Sequence, residues 1–337
     1  MAVNREREKT EKKMESDTSG RLRRERRTAG GSTFFSAKQI RTRFLFFALL
    51  IPVLHWLVFW LYINIDTFVL AFKAGAEQKW TLLNFRLLWD SLVNPVGDNS
   101  IGIALKNTLL YFGATLLLIL PFSLVIGYFF YKKILGYKVF RVIFYLPAII
   151  SGVALVSVYR GVVTDPWGLV AKLTEILFGK GHFPSGGLLS QNSTATWMIL
   201  LYSIWTGPCT NILLIGGAMT RIPTEVIESA KIEGCGPFRE LIQIILPMIW
   251  PTVSTIVVFM FTNIFNTSGP ILLFTGGSAG TTTLAFWIFK QIYGDGQIGG
   301  AGEYNLVSCT GLVFTLIGVP IILGIRKLID KVDSGEY

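Results

Sequence analysis

The sequence predicts an all-α membrane protein with six transmembrane helices. Of its 337 residues, 51% are hydrophobic and only 15% are charged, and the mean hydropathy is +0.53. A soluble domain usually carries about 25% charged residues. The apolar runs are long and continuous rather than alternating, which excludes membrane-spanning strands because an open sheet edge cannot be satisfied in lipid.

Six apolar segments are long enough to cross a bilayer, which needs about 20 residues of helix. They cover residues 44–69, 105–131, 139–158, 196–219, 249–274 and 304–325. Prolines lie within or next to these segments and are expected to bend helices around a cavity. These prolines are Pro121, Pro147, Pro208, Pro251, Pro270 and Pro320.

The charge distribution predicts domain organisation and orientation. Residues 1–43 hold 13 Lys/Arg and 6 Asp/Glu, a composition typical of a flexible tail. Residues 44–331 form the predicted transmembrane domain, and residues 332–337 form a short C-terminal tail. The tail and the loops on its side carry 23 of the 31 Lys/Arg, so both termini are expected to be cytoplasmic. The net charge of +10 lies in short blocks between apolar runs and does not indicate nucleic-acid binding.

The sequence offers little catalytic or metal-binding chemistry. Its three cysteines, Cys209, Cys235 and Cys309, form no CxxC pair, so neither a metal site nor a disulfide framework is indicated. No phosphate-binding loop motif occurs, so no nucleotide-binding site is indicated in this chain. No cofactor is expected in this chain. A membrane-embedded enzyme would need paired acidic residues at the membrane face, and no such pair is evident in or beside a span.

A polar segment at residues 221–247 interrupts the apolar pattern between the fourth and fifth spans. Pro223 and Thr224 are typical of a helix start, with Glu225 close to the positive helix N-terminus. Gly234 can end that helix because it accepts left-handed backbone angles, and Pro237 can begin another. We therefore expect two cytoplasmic helices joined by a tight turn, a segment called the elbow below.

The elbow resembles the signature loop of ABC-importer membrane subunits. Glu228-Ser229-Ala230 is followed after three residues by Gly234, and nine residues later by Ile244-Ile245-Leu246-Pro247. The family has Glu-Ala-Ala, two or three residues, Gly, nine residues and Ile-x-Leu-Pro, so Ser229 is the one departure from the core pattern. The preceding Ile222-Pro223-x-Glu225 and the Glu233-Gly234 pair resemble the sugar and glycerol-phosphate branch of the family. Within that branch the chain is similar to the first permease subunit of maltose-type importers.

The resemblance implies a type I importer permease with a MetI-like core and a cytoplasmic coupling helix that docks on an ATPase. The implied coupling residues are Glu225, Glu228, Ser229, Ala230, Glu233, Gly234, Ile244, Leu246 and Pro247. Implied partners are a second homologous permease, two subunits that bind ATP and Mg, and an extracellular sugar-binding protein. The expected location is the bacterial cell membrane. Outward loops at 70–104 and 159–195 are available to the binding protein, and they carry aromatic anchors at Trp80, Trp89, Trp167 and Phe183.

The expected function is ATP-driven import of a sugar, an oligosaccharide by preference. Sugars need amide and hydroxyl side chains beside aromatic ones. Phe259, Thr262, Asn263 and Asn266 have the spacing of one helical face in the fifth span. In maltose-type importers the corresponding part of the span lines the sugar pocket. Further candidates on neighbouring spans are Tyr111 and Trp205, with Ser151, Tyr159 and Asn211.

Several alternatives remain open at this point. Asn and Thr in membrane helices often hydrogen-bond to a neighbouring helix rather than to a substrate. The partner permease could hold the sugar pocket. The solute could also be an amino acid, phosphate or a polyamine, and a membrane-embedded enzyme is the less favoured reading.

Overall fold

The structure is a computed structural model that describes residues 37–74, 78–95, 97, 100–179, 181, 183–267, 269–293 and 301–333. The chain divides into two compact units between Asp66 and Thr67. The predicted basic tail falls outside the described residues as far as residue 36, as do residues 334–337 of the C-terminal tail.

Helices form most of the described chain, and each has its own bounds. The first unit contains α1 (Ala37–His55) and a π-helical segment (Trp56–Tyr62), and α2 (Ile63–Ala71) crosses the boundary between the units. The next elements are β1 (Lys73–Ala74), β2 (Lys79–Trp80), α3 (Leu83–Val93), α4 (Ile101–Ala114), a π segment (Thr115–Ile119), α5 (Leu120–Tyr131), α6 (Tyr137–Ile149), α7 (Gly152–Thr164) and α8 (Leu169–Phe178). They are followed by α9 (Ala195–Thr206), α10 (Pro208–Met219), α11 (Thr224–Ile232), α12 (Pro237–Glu240), a π segment (Leu241–Ile245), α13 (Leu246–Met248), α14 (Trp250–Thr262), a 3-10 turn (Ile264–Asn266), α15 (Ile271–Phe274), α16 (Leu284–Tyr293) and α17 (Ala301–Asp333).

Within the described residues, four continuous helices are long and apolar enough to cross a membrane. They are Arg41–Ala71, Ile101–Tyr131, Ala195–Met219 and Tyr304–Lys331, which overlap the predicted first, second, fourth and sixth spans. Two bent helix pairs bring the count to six if each pair is one span. The predicted all-α, six-span architecture is therefore present, with the third and fifth spans broken.

The predicted third span over residues 139–158 is a bent pair of helices. The chain bends by 110° between α6 and the helix that follows it. Ile150 takes extended angles (φ −80°, ψ 145°), and Ser151 is likewise non-helical. Hydropathy reports how apolar a segment is and carries no information on its direction, so it cannot show this bend.

The fifth span is also broken at both ends. It meets the preceding elbow helix at an angle of 78°, with the break at Ile249. Regular α-helix stops at Thr262, and Asn263 has φ −95° and ψ 5°. The predicted span over residues 249–274 is therefore three short helical pieces.

Two of the π-helical segments stand in the same relation to a proline. Thr115–Ile119 ends two residues before Pro121, and Leu241–Ile245 ends two residues before Pro247. Proline donates no amide hydrogen and its ring crowds the carbonyl four residues earlier. Widening the preceding turn accommodates that carbonyl without ending the helix. At Pro121 and Pro247, the predicted effect of proline on the helix therefore takes the form of a wider, π-helical turn before the proline.

Buried apolar side chains of the second unit form three clusters. The cluster nearest the elbow joins α5, α10 and α14 to residues of the elbow. Its fully buried members include Ile215, Met219 and Ile245. A second cluster joins α4, α7 and α9, and a third joins α3, α16 and α17. The first cluster is the one that positions the elbow against the spans.

The loop at 70–104, which is predicted to face outward, contains two short paired strands that the all-α prediction did not include. Lys73 pairs with Trp80 and Ala74 with Lys79 in antiparallel register. The buried Asn84 side chain donates hydrogen bonds to the carbonyls of Ala71 (3.0 Å) and Lys73 (2.7 Å). This single amide therefore ties α3 to the end of α2 and to β1. The three tryptophans predicted as anchors, Trp80, Trp89 and Trp167, are all largely exposed, and Phe183 is half-buried.

A glycine-rich turn after the fifth span is held against α4. Four of its residues have positive φ: Gly276, Gly277, Ala279 and Gly280. The Asn107 amide donates to the carbonyls of Gly280 (2.7 Å) and Thr282 (2.9 Å). A Cβ at Gly277 would lie 2.5 Å from Cε1 of Phe286, so the close approach of the turn to α16 requires glycine there.

Candidate functional site

The elbow has the predicted form of two helices joined at Gly234. Helix α11 ends at Ile232, and Gly234 follows with φ +75°. The amide of Gly234 donates to the carbonyl of Lys231 (3.0 Å), and that of Cys235 donates to the carbonyl of Ala230 (2.9 Å). These bonds satisfy terminal carbonyls of the helix, in the manner of a glycine C-cap.

The signature residues of the elbow separate into an exposed and an inward-facing set. Exposed members are Glu225, Glu228, Ser229, Glu233 and Gly234. Ala230 is only 4% exposed, and Ile244, Leu246 and Pro247 are partly buried. Ile244 and Leu246 pack against the cluster that contains Ile245 and Ile249. The inward-facing set therefore anchors the elbow to the bundle, while the exposed set presents acidic side chains on the protein surface.

Two large apolar side chains stand out from the same elbow. Ile232 is 88% exposed and Phe238 is 76% exposed, on either side of Gly234. An exposed apolar pair next to carboxylates is typical of a surface that another protein covers. The sequence prediction did not single out these two residues, although each lies within three residues of the Gly234-Cys235-Gly236-Pro237 turn and could have been flagged there.

A buried ion pair fastens the elbow to the loop after α5. The Lys132 ammonium lies 2.5 Å from a carboxylate oxygen of Glu240, whose side chain is 4% exposed. The Lys132 Nζ also lies 5.7 Å from the centre of the Tyr128 ring. Glu240 was missed by the sequence prediction because no motif distinguishes it from the neighbouring exposed acids. The pair places the basic loop after α5 and the elbow at the same end of the bundle.

A cavity of about 460 Å³ lies between the second, fourth and fifth spans, and we call it the central cavity. Its lining consists of Phe112, Thr115, Ile119, Ser203, Thr206, Gly207, Thr210, Asn211, Leu214, Ile256, Phe259, Met260, Asn263 and Thr267. None of these described lining residues is charged. Its size falls within the usual range for small-molecule sites, roughly 300–1,000 Å³.

The polar groups of the central cavity are mostly hydrogen-bond acceptors. Thr115, Ser203 and Thr206 each donate their hydroxyl hydrogen to a carbonyl one turn earlier in their own helix, at 2.8–3.0 Å. The Asn263 amide likewise donates to the carbonyl of Phe259 (2.9 Å). A hydroxyl whose hydrogen is already engaged still offers lone pairs, as does the Asn263 amide oxygen. The cavity is therefore suited to a ligand rich in hydroxyl donors.

Aromatic rings flank these acceptors. Phe259 is 60% exposed and lines the cavity, and Phe112 lines it from the second span. Phe112 packs edge-on against Phe261 with ring centres 4.7 Å apart, which joins the second and fifth spans. The resulting wall combines flat apolar surface with acceptor oxygens.

The six predicted substrate contacts fall into two groups in the structure. Phe259 and Asn263 line the central cavity, whereas Thr262, Asn266, Tyr111 and Trp205 do not. The prediction of one helical face through residues 259–266 is wrong, because regular helix stops at Thr262. The Thr262 hydroxyl instead donates to the carbonyl of Val258 (2.9 Å), and Asn266 lies in an exposed 3-10 turn.

The other two predicted contacts belong to the packed interior. Tyr111 is 4% exposed within the cluster of α4, α7 and α9. Trp205 packs beside that cluster, with its ring 6.3 Å from that of Tyr202. Residues on the fourth span that sequence reasoning undervalued or missed are Ser203, Thr206, Thr210 and Asn211, all on the cavity wall. A run of small hydroxyls at helical spacing was the available signal.

The described residues contain no group of three or more His, Cys, Asp and Glu placed to hold a metal ion. Cys209 and Cys235 are partly buried and Cys309 is buried, and all three are free thiols.

Comparison with known proteins places this architecture in a family. Residues 119–335 match the family described as "Binding-protein-dependent transport system inner membrane component". "Probable ABC transporter permease protein MG188" of Mycoplasma genitalium is 26% identical over 268 residues, covering 75% of this chain and 73% of the relative. "Maltose/maltodextrin transport system permease protein MalF" of Escherichia coli K12 is 25% identical over 211 residues, covering 60% of this chain but only 40% of MalF.

A solved structure agrees with the fold. A chain in the crystal structure of a bacterial alginate ABC transporter, in complex with an alginate pentasaccharide-bound periplasmic protein, superposes with a TM-score of 0.71 at 20% identity. The superposition covers 89% of this chain and 99% of that one. The family match spans more than half of the sequence, and the fold likeness extends over most of it. The chain belongs to the inner membrane components of binding-protein-dependent transport systems.

Proposed function

We propose that this chain is the permease subunit of an ATP-driven ABC importer for an uncharged sugar, an oligosaccharide by preference. The central cavity carries this proposal, because its lining is uncharged, rich in acceptors and flanked by phenylalanines. Sugar hydroxyls donate to such acceptors, and sugar ring faces pack on aromatic rings. Relatives named as maltose/maltodextrin permeases are consistent with the proposal.

The same lining disfavours the competing solutes. Phosphate and amino-acid carboxylates need cationic or donor groups, and a polyamine needs carboxylates. The central cavity presents no charged side chain among its described lining residues. A hydroxyl-rich neutral molecule is the ligand whose hydrogen bonds these residues complete.

We assign the elbow to coupling with a separate ATPase. Its carboxylates at Glu225 and Glu228 are exposed, and Ile232 and Phe238 offer apolar contact beside them. Helix α11 is anchored through Ile227 and Ala230, so a push on the exposed face is transmitted to α10 and α14 through the shared cluster. In the proposed assembly the ATPase binds ATP and Mg, a homologous permease forms the other half of the pathway, and an extracellular protein delivers the sugar.

We place the elbow and both termini on the cytoplasmic side. The Lys132–Glu240 pair brings the basic loop after α5 to the same end of the bundle as the elbow, which carries Arg221, Lys231 and Arg239 among its acidic residues. Loops rich in Lys and Arg lie mainly on the cytoplasmic side of bacterial membranes.

The experiment is uptake by the transporter assembled from this chain and its co-expressed partners in proteoliposomes. Asn263→Ala should raise KM for the transported oligosaccharide about fivefold, the loss expected for one net hydrogen bond. Phe259→Ala should raise it as well. Thr255→Val is the matched control, because Thr255 lies on the same helix, is bonded to the carbonyl of Pro251 and is outside the cavity lining. Uptake of an amino acid, phosphate or polyamine with no uptake of any saccharide would overturn the sugar assignment.

Coupling is tested separately with Glu228→Lys and Gly234→Asp. Both variants should stop uptake while the chain remains in the membrane at its normal abundance, because the altered groups are exposed on the elbow. Transport at the unmodified rate in either variant would contradict the coupling role. Turnover of a substrate by the purified chain without an ATPase would instead support the membrane-enzyme alternative.

A further inference from the structure

A second cavity of about 380 Å³ lies near the elbow end of the bundle, and we call it the basic groove. It runs between α5, α6 and α10. Its lining residues are Gly127, Phe130, Tyr131, Lys133, Arg141, Tyr145, Ile212, Leu213, Gly216, Gly217 and Thr220. This composition, two cations and three aromatic rings above small and aliphatic residues, differs from that of the uncharged central cavity.

The basic groove is separate from the central cavity even though both use α10. The central cavity takes Thr210, Asn211 and Leu214 from this helix and Gly207 from its N-terminal cap. The groove takes Ile212, Leu213, Gly216 and Gly217 from the helix and Thr220 from its C-terminal cap. At 3.6 residues per turn, the mean directions of these two sets differ by about 140° around the helix axis. A ligand in the groove therefore lies on the far side of α10 from a transported solute.

The cations at the mouth of the groove are available to an anion. Lys133 and Arg141 line the groove, and no acidic residue does so within the described part of the chain. Glu240, the buried acid of this region, pairs with the adjacent Lys132. The Arg141 guanidinium lies 5.8 Å from the ring centre of Phe130 and 5.7 Å from that of Tyr137. Ring contacts orient this guanidinium without neutralising its charge.

The deeper part of the groove is apolar and open. A Cβ built at Gly216 or at Gly217 meets no atom within 4 Å, so the space above these glycines is unfilled. From Thr220 at the mouth to Ile212 at the far end, α10 rises roughly 12 Å. Leu213, between these levels, is 64% exposed. The groove thus has a charged mouth and, below it, an apolar channel where Gly216 and Gly217 have no side chains.

The mouth lies where three spans reach the water. The second span ends at Tyr131, the fourth ends at Met219, and α6 begins at Tyr137. Val139 and Val142, near the start of α6, are exposed apolar side chains outside the groove lining. Cations and tyrosines at the ends of spans suit a phospholipid headgroup, and the aliphatic surface below them suits the acyl chains.

We propose that the basic groove binds an anionic phospholipid. The phosphate lies between Lys133 and Arg141, and the groove lining also carries the hydroxyl groups of Tyr131 and Tyr145. One acyl chain follows α10 past Gly217 towards Leu213. The bound lipid fills the space between α6 and α10 and steadies their packing at the elbow end, outside the transport pathway.

The test is lipid retention by the purified transporter that contains the full chain, in a detergent without a sugar headgroup. Native mass spectrometry counts bound phosphatidylglycerol and bound phosphatidylcholine of identical acyl chains. Unmodified transporter should retain phosphatidylglycerol in preference to phosphatidylcholine. Lys133→Gln and Arg141→Gln should each reduce that preference about fivefold, the effect expected for one cation near a lipid phosphate. Arg141→Lys keeps the positive charge and should retain most of the preference for phosphatidylglycerol.

Matched controls separate charge from shape. Lys138→Gln removes one charge from the same helix, at an exposed position outside the groove lining, and should leave the preference unchanged. Gly217→Leu, whose Cβ would meet no atom within 4 Å, puts a side chain into the open space and should reduce retention of both lipids. Equal retention of the two lipids by the unmodified transporter, or an equal effect of Lys138→Gln and Arg141→Gln, would overturn the proposal. Displacement of phosphatidylglycerol by excess inorganic phosphate would also overturn it in favour of a soluble phosphate compound.

Discussion

Substituting Lys132 or Glu240 breaks the same ion pair, but the two substitutions should lower the free energy of unfolding by different amounts. The Glu240 side chain is 4% exposed, whereas that of Lys132 is 19% exposed. Lys132→Met therefore leaves an almost fully buried carboxylate without its ion-pair partner, and the expected loss in free energy of unfolding is about 3–5 kcal/mol. Glu240→Gln leaves an ammonium group that still reaches water, and the expected loss is about 1–3 kcal/mol.

Replacing both partners should restore much of the stability. In Lys132→Met/Glu240→Leu neither charge is buried, and apolar replacement of a buried pair is often neutral or stabilising. The three variants and the unmodified chain form a double-mutant cycle, measured by reversible unfolding in mixed micelles. The reasoning fails if Glu240→Gln costs more than Lys132→Met, or if the double variant is as unstable as Lys132→Met.

The same variants report on coupling. Because the pair holds α12 to the loop after α5, losing it should loosen the elbow relative to the bundle. Uptake per ATP hydrolysed should fall in Lys132→Met and recover in part in the double variant. An unchanged ratio in Lys132→Met, at normal membrane abundance, would show that the pair contributes to stability alone.

Two glycine pairs give further tests, each with a control in the same turn. Gly234→Ala should lower the free energy of unfolding by about 1–2 kcal/mol and reduce uptake, because φ at Gly234 is +75°. Gly236→Ala should be close to neutral, because φ there is −72° and no atom lies within 4 Å of the added Cβ. Equal unfolding free energies for these two variants would contradict the left-handed cap. Gly277→Ala should lower the free energy of unfolding by about 2–5 kcal/mol, because a contact of 2.5 Å between the added Cβ and Phe286 adds to the strain of φ +81°. Gly276→Ala, with φ +61° and no atom near the added Cβ, should lower it by about 1–2 kcal/mol. Thermal unfolding compares this second pair, and a smaller loss at Gly277 than at Gly276 would count against the close packing of the turn.

Local features of the chain were predictable from sequence. The spans ending at Tyr131 and Met219 were assigned at the observed last residue, because a loss of apolar side chains marks the end of a span. The elbow was predictable because Pro223, Gly234 and Pro237 act on their own backbone dihedrals. The coupling role of that elbow stays a prediction.

The cavity was predictable only in part. Asn263 and Phe259 were recognised because amides and aromatic rings are conspicuous in an apolar span. Asn266 was placed beside them on the assumption of continuous helix, and the stop at Thr262 rotates it away from the lining. Tyr111 illustrates the opposite error, since a polar aromatic in a span can be buried among helices as readily as it can face a solute.

Hydropathy, backbone preferences and the signature spacing are properties of neighbouring residues, and they were enough to predict a six-span permease with a glycine elbow. The 110° turn after α6, the pairing of Glu240 with Lys132 and the two cavities on different sides of α10 depend on groups that are distant in the chain. Such contacts arise from packing, in which each side chain takes the position that its neighbours leave open. A single sequence carries no direct record of those neighbours, so these features emerged with the folded arrangement.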